Sequence, residues 1–462
     1  MSSLRLVVRG TIAALLLHIP TAALRAQAAP APRDTVTAPD SLSPDSLRAR
    51  LARAEAAIDL LREQLAGESE STVHTRSRVR VDVFARVLTN AFMTWGRANI
   101  TDLPLNVLAP AAAPARAPTN DALGLSVRQT RVGAVTSVQD VLGGVFSGDV
   151  DLDFFGGVSN GPGDRRLFPE PRLRTARARV IWDRAELMVG SDTPLISDLN
   201  PVSLAGVAIP VFSSAANLWN WIPQVRFTRE AGSVGRGDTR VHFALQGALL
   251  APYTSTVAPD DPDAVDIGER SRRPALEARI RARWGDEEGG LSDVMIGDSG
   301  GEIGIGTHQG WAATAPGEVQ ASYAYSIDGH AVIAHGVELR GEAYAGRLLR
   351  GLGGGGAGQN FGQPLPGAPA GTLGPPLRDM AGWIQLNVQP HPIVITGAGC
   401  GIDVVNHEDR PVRRQNTVCE AHLHWRPAQP LVLGLEYRQL ASRYASGTYG
   451  VRHLNLAFGF DL

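Results

Sequence analysis

The chain closes on Tyr449-Gly-Val-Arg-His-Leu-Asn-Leu-Ala-Phe-Gly-Phe-Asp-Leu462. Leu454, Leu456, Phe458, Phe460 and Leu462 fall on one parity; His453, Asn455, Ala457, Gly459 and Asp461 fall on the other. A period of two is the signature of a β-strand. An apolar face against lipid and a polar face against water is what a barrel strand needs to cross a bilayer. An apolar strand at the last residue also resembles the assembly signal read by the barrel-insertion machinery. That signal usually ends in Phe or Trp, and Leu462 departs from it.

The same division recurs upstream. Glu277, Arg279, Arg281 and Arg283 alternate with Ala278, Ile280, Ala282 and Trp284; Glu420, His422, His424 and Arg426 alternate with Cys419, Ala421, Leu423 and Trp425. Sixteen alternating segments are predicted: 79–92, 123–137, 141–154, 171–182, 184–191, 222–230, 238–251, 272–284, 293–309, 317–327, 329–349, 378–389, 392–405, 415–426, 429–442 and 449–462. An even number closes a bacterial barrel, and closure satisfies every strand edge, as lipid demands. The links alternate too. Links after odd strands are mostly long (93–122, 155–170, 192–221, 252–271, 350–377). Those after even strands are mostly short, among them Asp328-Gly329. Long loops at one end and short turns at the other is the asymmetry of an outer-membrane barrel. Trp284, Trp383 and Trp425 are expected in an aromatic girdle.

Before the alternation begins, the chain reads differently. Arg5 and Arg9, the apolar run Thr11-Ile-Ala-Ala-Leu-Leu-Leu-His-Ile-Pro20 and Ala26-Gln27-Ala28 make residues 1–28 a signal peptide, with its cleavage motif. Residues 29–42 are a flexible linker rich in Ala, Pro, Ser and Thr. Within 43–67, Leu47, Leu51, Ala54, Ile58, Leu61 and Leu65 repeat at 4-3-4-3-4, a coiled-coil seam. A short seam needs a partner, either copies of itself or its own domain. The expected architecture is therefore all-β: a 16-stranded antiparallel transmembrane β-barrel over 78–462 with a short N-terminal α-helical coiled-coil extension in the periplasm. No later stretch reaches the roughly 18 apolar residues of a transmembrane helix. The net charge of −2 gives no overall attraction to nucleic acid, and all 44 basic residues are arginine.

Four segments carry a family resemblance: Gly124-Leu-Ser-Val-Arg-Gln-Thr-Arg131, Arg172-Leu-Arg-Thr-Ala-Arg-Ala-Arg179, Glu186-Leu-Met-Val-Gly-Ser-Asp192 and Asn217-Leu-Trp-Asn-Trp-Ile-Pro-Gln-Val-Arg226. Their order resembles the DcaP-like and phosphate-selective (OprP/OprO-type) outer-membrane porins. The resemblance spans the mature chain in layout and residues 124–230 in motif. It implies a homotrimer of sixteen-stranded barrels with an N-terminal helical extension. Ser191 stands where the family usually has Gln, and the lysine ladder of the phosphate-selective members is absent, so phosphate specificity does not carry over.

A porin needs a constriction with selecting charges. The third long loop, 192–221, is the candidate, with Asp192, Asp198 and Asn200 facing the lumen and the apolar stretch 207–212 packing on the wall; the alternative is an extracellular loop at the trimer axis. Arg128, Arg131, Arg172, Arg174, Arg177, Arg179, Arg226, Arg279, Arg281 and Arg283 are the candidate pore-lining arginines, whose planar donors suit carboxylates. Arg172 and Arg174 are out of phase with Arg177 and Arg179, so either a bulge near Thr175-Ala176 or a position at the barrel rim is expected. Otherwise two arginines face lipid at roughly 2–4 kcal/mol each. These arginines favour anions such as dicarboxylates, unless Asp149, Asp151, Glu277 and Glu436 neutralise them. Cys400 and Cys419 flank one hairpin and are either a disulfide or two free thiols. Glu420, His422 and His424 share a face but suit a wet lumen better than a metal. No catalytic motif and no cofactor is indicated. Three readings stand: a diffusion porin, an outer-membrane enzyme barrel, and a plugged barrel tethered to the cell wall through its N-terminal helix.

Overall fold

The computed structural model describes residues 72–74, 79–110, 121–156, 169–236, 240–257, 265–285, 296–297, 299–315, 317–369 and 371–462. The signal peptide, the linker and the coiled-coil helix expected over 1–67 lie outside the described residues. Sixteen strands form one closed antiparallel barrel. They are β1 (Arg80–Trp95), β2 (two pieces, Ala122–Ser126 and Arg131–Val141), β3 (Gly144–Gly156), β4 (Glu170–Trp182), β5 (Ala185–Asp192), β6 (Ile222–Val234), β7 (Val241–Leu250) and β8 (Ala275–Trp284). There follow β9 (Gly301–Ala315), β10 (Glu318–Ala334), β11 (Val337–Arg347), β12 (Arg378–His391), β13 (Val394–Val405), β14 (Arg413–Trp425), β15 (Leu431–Tyr444) and β16 (Gly447–Asp461). Both pieces of β2 pair with β1, which also carries the short strand Thr72–His74 on its edge.

Closure runs through the terminal strand. β16 pairs with β1 from Arg452↔Trp95 to Asp461↔Arg86. Its expected faces are realised: Leu456 and Phe458 are exposed toward lipid, while His453, Asn455 and Ala457 point inward and are buried. At the rim of this seam Asp461 receives Arg86 at 2.7 Å and Arg426 at 2.8 Å. Among the described residues no helix is long and apolar enough to cross a membrane.

Three expectations need correction. The expected Asp328-Gly329 turn is not one. β10 continues to Ala334, and the turn is His335-Gly336, with Gly336 at φ +65°. Asp-Gly is a strong local turn signal, but here Asp328 is held inside the barrel by Arg279 of β8, and Gly329 pairs with both Ile303 and Gly341. Likewise β9 starts at Gly301 rather than 293, so the connection 285–300 is long at the short-turn end and 316–317 is short at the long-loop end. Parity of loop length is therefore a tendency of this barrel and not a rule. Finally, Trp383 does not join a girdle: it points inward, stacks on Phe212 at 5.4 Å and donates to Glu342. Trp425, exposed at the end of β14, does face outward.

Cys400 and Cys419 sit directly opposite each other on β13 and β14 and are joined by a disulfide. Both follow the outward parity of their strands, so the bond lies on the outer wall.

Candidate functional site

The lumen is organised by two charged walls and the loop 193–221, on which residues of the loops after β1 and after β11 also pack. The first wall is β2 to β6. β3 carries Asp149, Asp151 and Asp153 inward, and β4 faces them with four arginines. Arg172 binds Asp153 at 2.6 Å, and Arg174 binds Asp151 at 3.0 Å. Arg177 and Arg179 share Asp149 at 2.9 and 3.1 Å. The parity problem of β4 is solved by a register shift: Asp151 pairs with Thr175 but Leu152 pairs with Leu173, leaving Arg174 as the extra residue. The bulge thus falls one residue before the expected place, and all four guanidiniums lie on the carboxylate side. Arg131 on β2 joins Asp151 at 2.6 Å; Arg226 on β6 joins Asp192 at 3.2 Å, which also receives Arg177 at 3.2 Å.

Within these pairs the partners are not equally hidden. The side chains of Arg131, Arg172, Arg177 and Arg179 keep 27–30% of their exposure, whereas Asp149, Asp151 and Asp153 keep 0–7%. The carboxylate lies against the wall and the guanidinium covers it. The lumen therefore meets cations whose counter-charges are set back.

The second wall is β8 to β10. Arg279 is fully buried, bound to Asp328, with Asp198 of the loop at 3.4 Å and Glu302 at 3.5 Å. Arg281 lies 3.7 Å from Glu302. Arg283 has no carboxylate partner among the described residues.

The loop 193–221 folds into the barrel between these walls. The sequence supplies polar wall groups where it touches. The Ile196 carbonyl accepts from Ser326 at 2.5 Å, and Ile196 N donates to Glu277 at 3.0 Å. Gln385 holds Val202 through both backbone groups, at 2.8 and 2.9 Å. Asn90 donates to the Leu204 carbonyl, and Gln129 brackets Ala205 and Ala208. Arg172 and Arg174 donate to the carbonyls of Ala208 and Val207. Glu342 accepts from Asn217 and from Leu218 N. Glu342 thus ties the loop to β11 through a side chain and a backbone N–H. Between the anchors, Leu195, Val211, Phe212, Ala215 and Leu218 pack on Trp383, Val418, Leu440 and Val451. The same cluster takes in Ala248 and Leu250 of β7, Ala275 of β8 and Ala324 of β10.

Backbone against backbone needs glycine on the wall. A Cβ on Gly306 would come within 2.2 Å of the Ile196 carbonyl, and one on Gly401 within 2.2 Å of the Ala215 carbonyl.

Of the residues singled out from sequence, Arg131, Arg172, Arg174, Arg177, Arg179 and Arg226 come together with Asp192 on one wall, and Arg279, Arg281 and Asp198 on the other. Arg128 does not line open lumen: it is buried, bound to Asp102 of the first loop at 2.6 Å, with its guanidinium 3.8 Å over Phe155. Arg279 is buried in the same way. Both brace loops. Asn200 contributes its carbonyl to Arg340 at 2.8 Å, not its side chain. Asp102, Asp153, Glu302 and Asp328 were missed as partners. Asp153 was within reach, since it continues the alternation of Asp149 and Asp151. Asp102 and Asp328 were hidden in a loop and a false turn. Glu420 and His422 bond at 3.0 Å; among the described residues no group of three or more ligands could hold a metal ion.

At the loop end, Asp409 accepts three bonds from Arg378, through its backbone N, Nε and Nη2 at 2.9, 3.0 and 2.8 Å. Burial disfavours its charge, but the hydrogen bonds and charge of Arg378 outweigh that and hold the carboxyl below its ordinary range.

No family model matches the chain, and no curated protein sequence matches it. The fold does match solved structures. The outer membrane channel DcaP of Acinetobacter baumannii is 14% identical, aligned over 85% of this chain and 100% of that one, with a TM-score of 0.57. The anion-selective porin from Comamonas acidovorans is 10% identical over 83% of this chain and 100% of that one, with a TM-score of 0.51. At such identities the likeness is one of fold.

Proposed function

We propose that this chain, which has the sixteen-stranded fold of the outer-membrane porins, is a porin that lets small hydrophilic solutes diffuse passively, with a preference for anions such as dicarboxylates. One observation carries the anion preference: at Arg131, Arg172, Arg177 and Arg179 of the β2–β6 wall the arginine is the exposed partner and the aspartate the hidden one. Six arginines, Arg131, Arg172, Arg174, Arg177, Arg179 and Arg226, meet four aspartates there, Asp149, Asp151, Asp153 and Asp192. Within this ion-pair network two positive charges are left over. Planar guanidiniums in a partly desolvated wall attract carboxylates more strongly than free ions in water. The functional unit of this reading is a homotrimer in the outer membrane, with signal peptide 1–28 removed and helix 43–67 in the periplasm; the heptad seam supports the oligomer.

Reversal potentials across planar bilayers in a salt gradient test it. The expected result is stepwise current with an anion-to-cation permeability ratio above one, reduced by added dicarboxylate. A ratio at or below one removes the anion preference and leaves the pore.

A second reading has its own support. The loop is bonded to the wall around most of the lumen and its apolar side is closely packed, as in a plugged barrel with a tethering role. Refolded protein that inserts without stepwise current would decide for it.

A further inference from the structure

On the outer wall, at the long-loop end of β5 to β8, lies a groove of about 590 Å³. It is lined by Val189 of β5, Pro223 and Val225 of β6 and Leu249 of β7. All four side chains follow the outward parity and are exposed. A cleft on this side of a barrel faces hydrocarbon, so its natural content is apolar. Its lip is not. Arg272 and Arg273, just before β8, close the groove at its loop end and are both exposed. The Arg273 guanidinium lies 5.8 Å over the ring of Trp311 on β9. Trp311 lies on the outward parity of its strand, between buried Gly310 and Ala312. An outward tryptophan near the end of a barrel strand marks the headgroup level of the membrane. Neither arginine has a carboxylate partner among the described residues. Among the described residues the arginines of the β2–β6 wall are held by aspartates; these two stand at the lipid interface with no carboxylate on their guanidiniums.

We propose that this groove binds a lipid of the outer leaflet bearing a phosphorylated headgroup, with an acyl chain along Val189, Val225 and Leu249 and the phosphate on Arg272 and Arg273. Guanidinium donors fit phosphate oxygens in a fork geometry, and the apolar floor below them fits a chain and not a free anion. The site is on the opposite side of the wall from the lumen, so it is independent of what the lumen conducts.

The test compares the full-length protein with the double variant Arg272→Gln/Arg273→Gln, both stripped of lipid in detergent. Each is equilibrated with mixed micelles of a bis-phosphorylated, multiply acylated lipid or with micelles of phosphatidylcholine, passed through gel filtration and assayed for retained lipid by native mass spectrometry. The wild type is expected to retain the phosphorylated lipid and to lose phosphatidylcholine; the double variant loses both. Val225→Trp, which fills the groove with both arginines intact, is expected to lose the lipid as well. Heat-modifiable mobility on gels confirms that each variant is folded. Equal retention by wild type and double variant overturns the proposal, as does equal retention of the two lipids. A double variant whose oligomeric mass falls while its lipid content is unchanged also overturns it, and assigns the groove to a second copy of the chain.

Discussion

Asp149 shows what one residue decides in this lumen. It accepts from Arg177 Nε at 2.9 Å and from Arg179 Nη2 at 3.1 Å, and it is itself buried. Replacing it with Asn removes a hidden negative charge and leaves both guanidiniums exposed. Asp149→Asn is therefore expected to raise the anion-to-cation permeability ratio, and Arg177→Gln/Arg179→Gln to lower it. The size is roughly fivefold in either direction at low salt, which is what about 1 kcal/mol of Coulomb energy at 4 Å in water amounts to. Reversal potentials read both. Opposite signs support a field set by the exposed partner; a shift in the same direction from both variants sinks the argument. Arg128 belongs to a different class although its residue type is the same, because its charge is consumed by Asp102 and covered by the Phe155 ring.

At the level of elements, the alternation of polar and apolar residues placed nearly every strand, because lipid outside and a polar interior impose opposite demands on successive side chains. The bulge in β4 was one of two solutions legible in the sequence, since four arginines out of phase admit a bulge or a place at the barrel rim. Its position at Arg174 was not legible, as only the pairing with β3 fixes which residue is extra. The turn after β10 was misread because Asp328 and Gly329 carry a local signal that a partner on β8 overrides. The loop 193–221 is an element too, and its seat can be tested. Gly401→Val places side-chain carbon where the Ala215 carbonyl lies. The variant is expected to keep its barrel and to lose about 1–3 kcal/mol of stability, the usual cost of overpacking. Its apparent melting temperature falls and the noise of its open-channel current rises. A variant unchanged in both would show that the loop does not rest on β13.

For the whole molecule, charge is nearly balanced: 44 basic residues stand against 46 acidic ones. Any ion preference is then a local field of the lumen and not the field of the protein at large. Local fields of partly exposed charges decay with the screening length, about 10 Å at 0.1 M salt and about 3 Å at 1 M. The permeability ratio is expected to move toward one as salt rises from 0.1 to 1 M. A ratio unchanged over that range would point to solute-sized contacts at the constriction in place of a field. The disulfide Cys400–Cys419 acts at this scale as well, binding two strands through the outer wall and leaving the lumen untouched.

The alternation in the chain fixed the barrel, its strand number and, for most strands, which face meets lipid. These are consequences of a period-two pattern that most strands carry within their own few residues. The candidate arginines were equally plain, as types at positions. Which of them remain exposed was settled by the closed barrel, because that depends on carboxylates from other strands and from a loop: Asp328 for Arg279, Asp153 for Arg172, Asp102 for Arg128. It also decided that the third long loop is fastened across the lumen, since the groups that hold it, from Asn90 to Glu342, come from strands far apart in the chain and meet only when the sheet closes. Local periodicity encodes which side a residue faces; it holds no record of what will stand opposite.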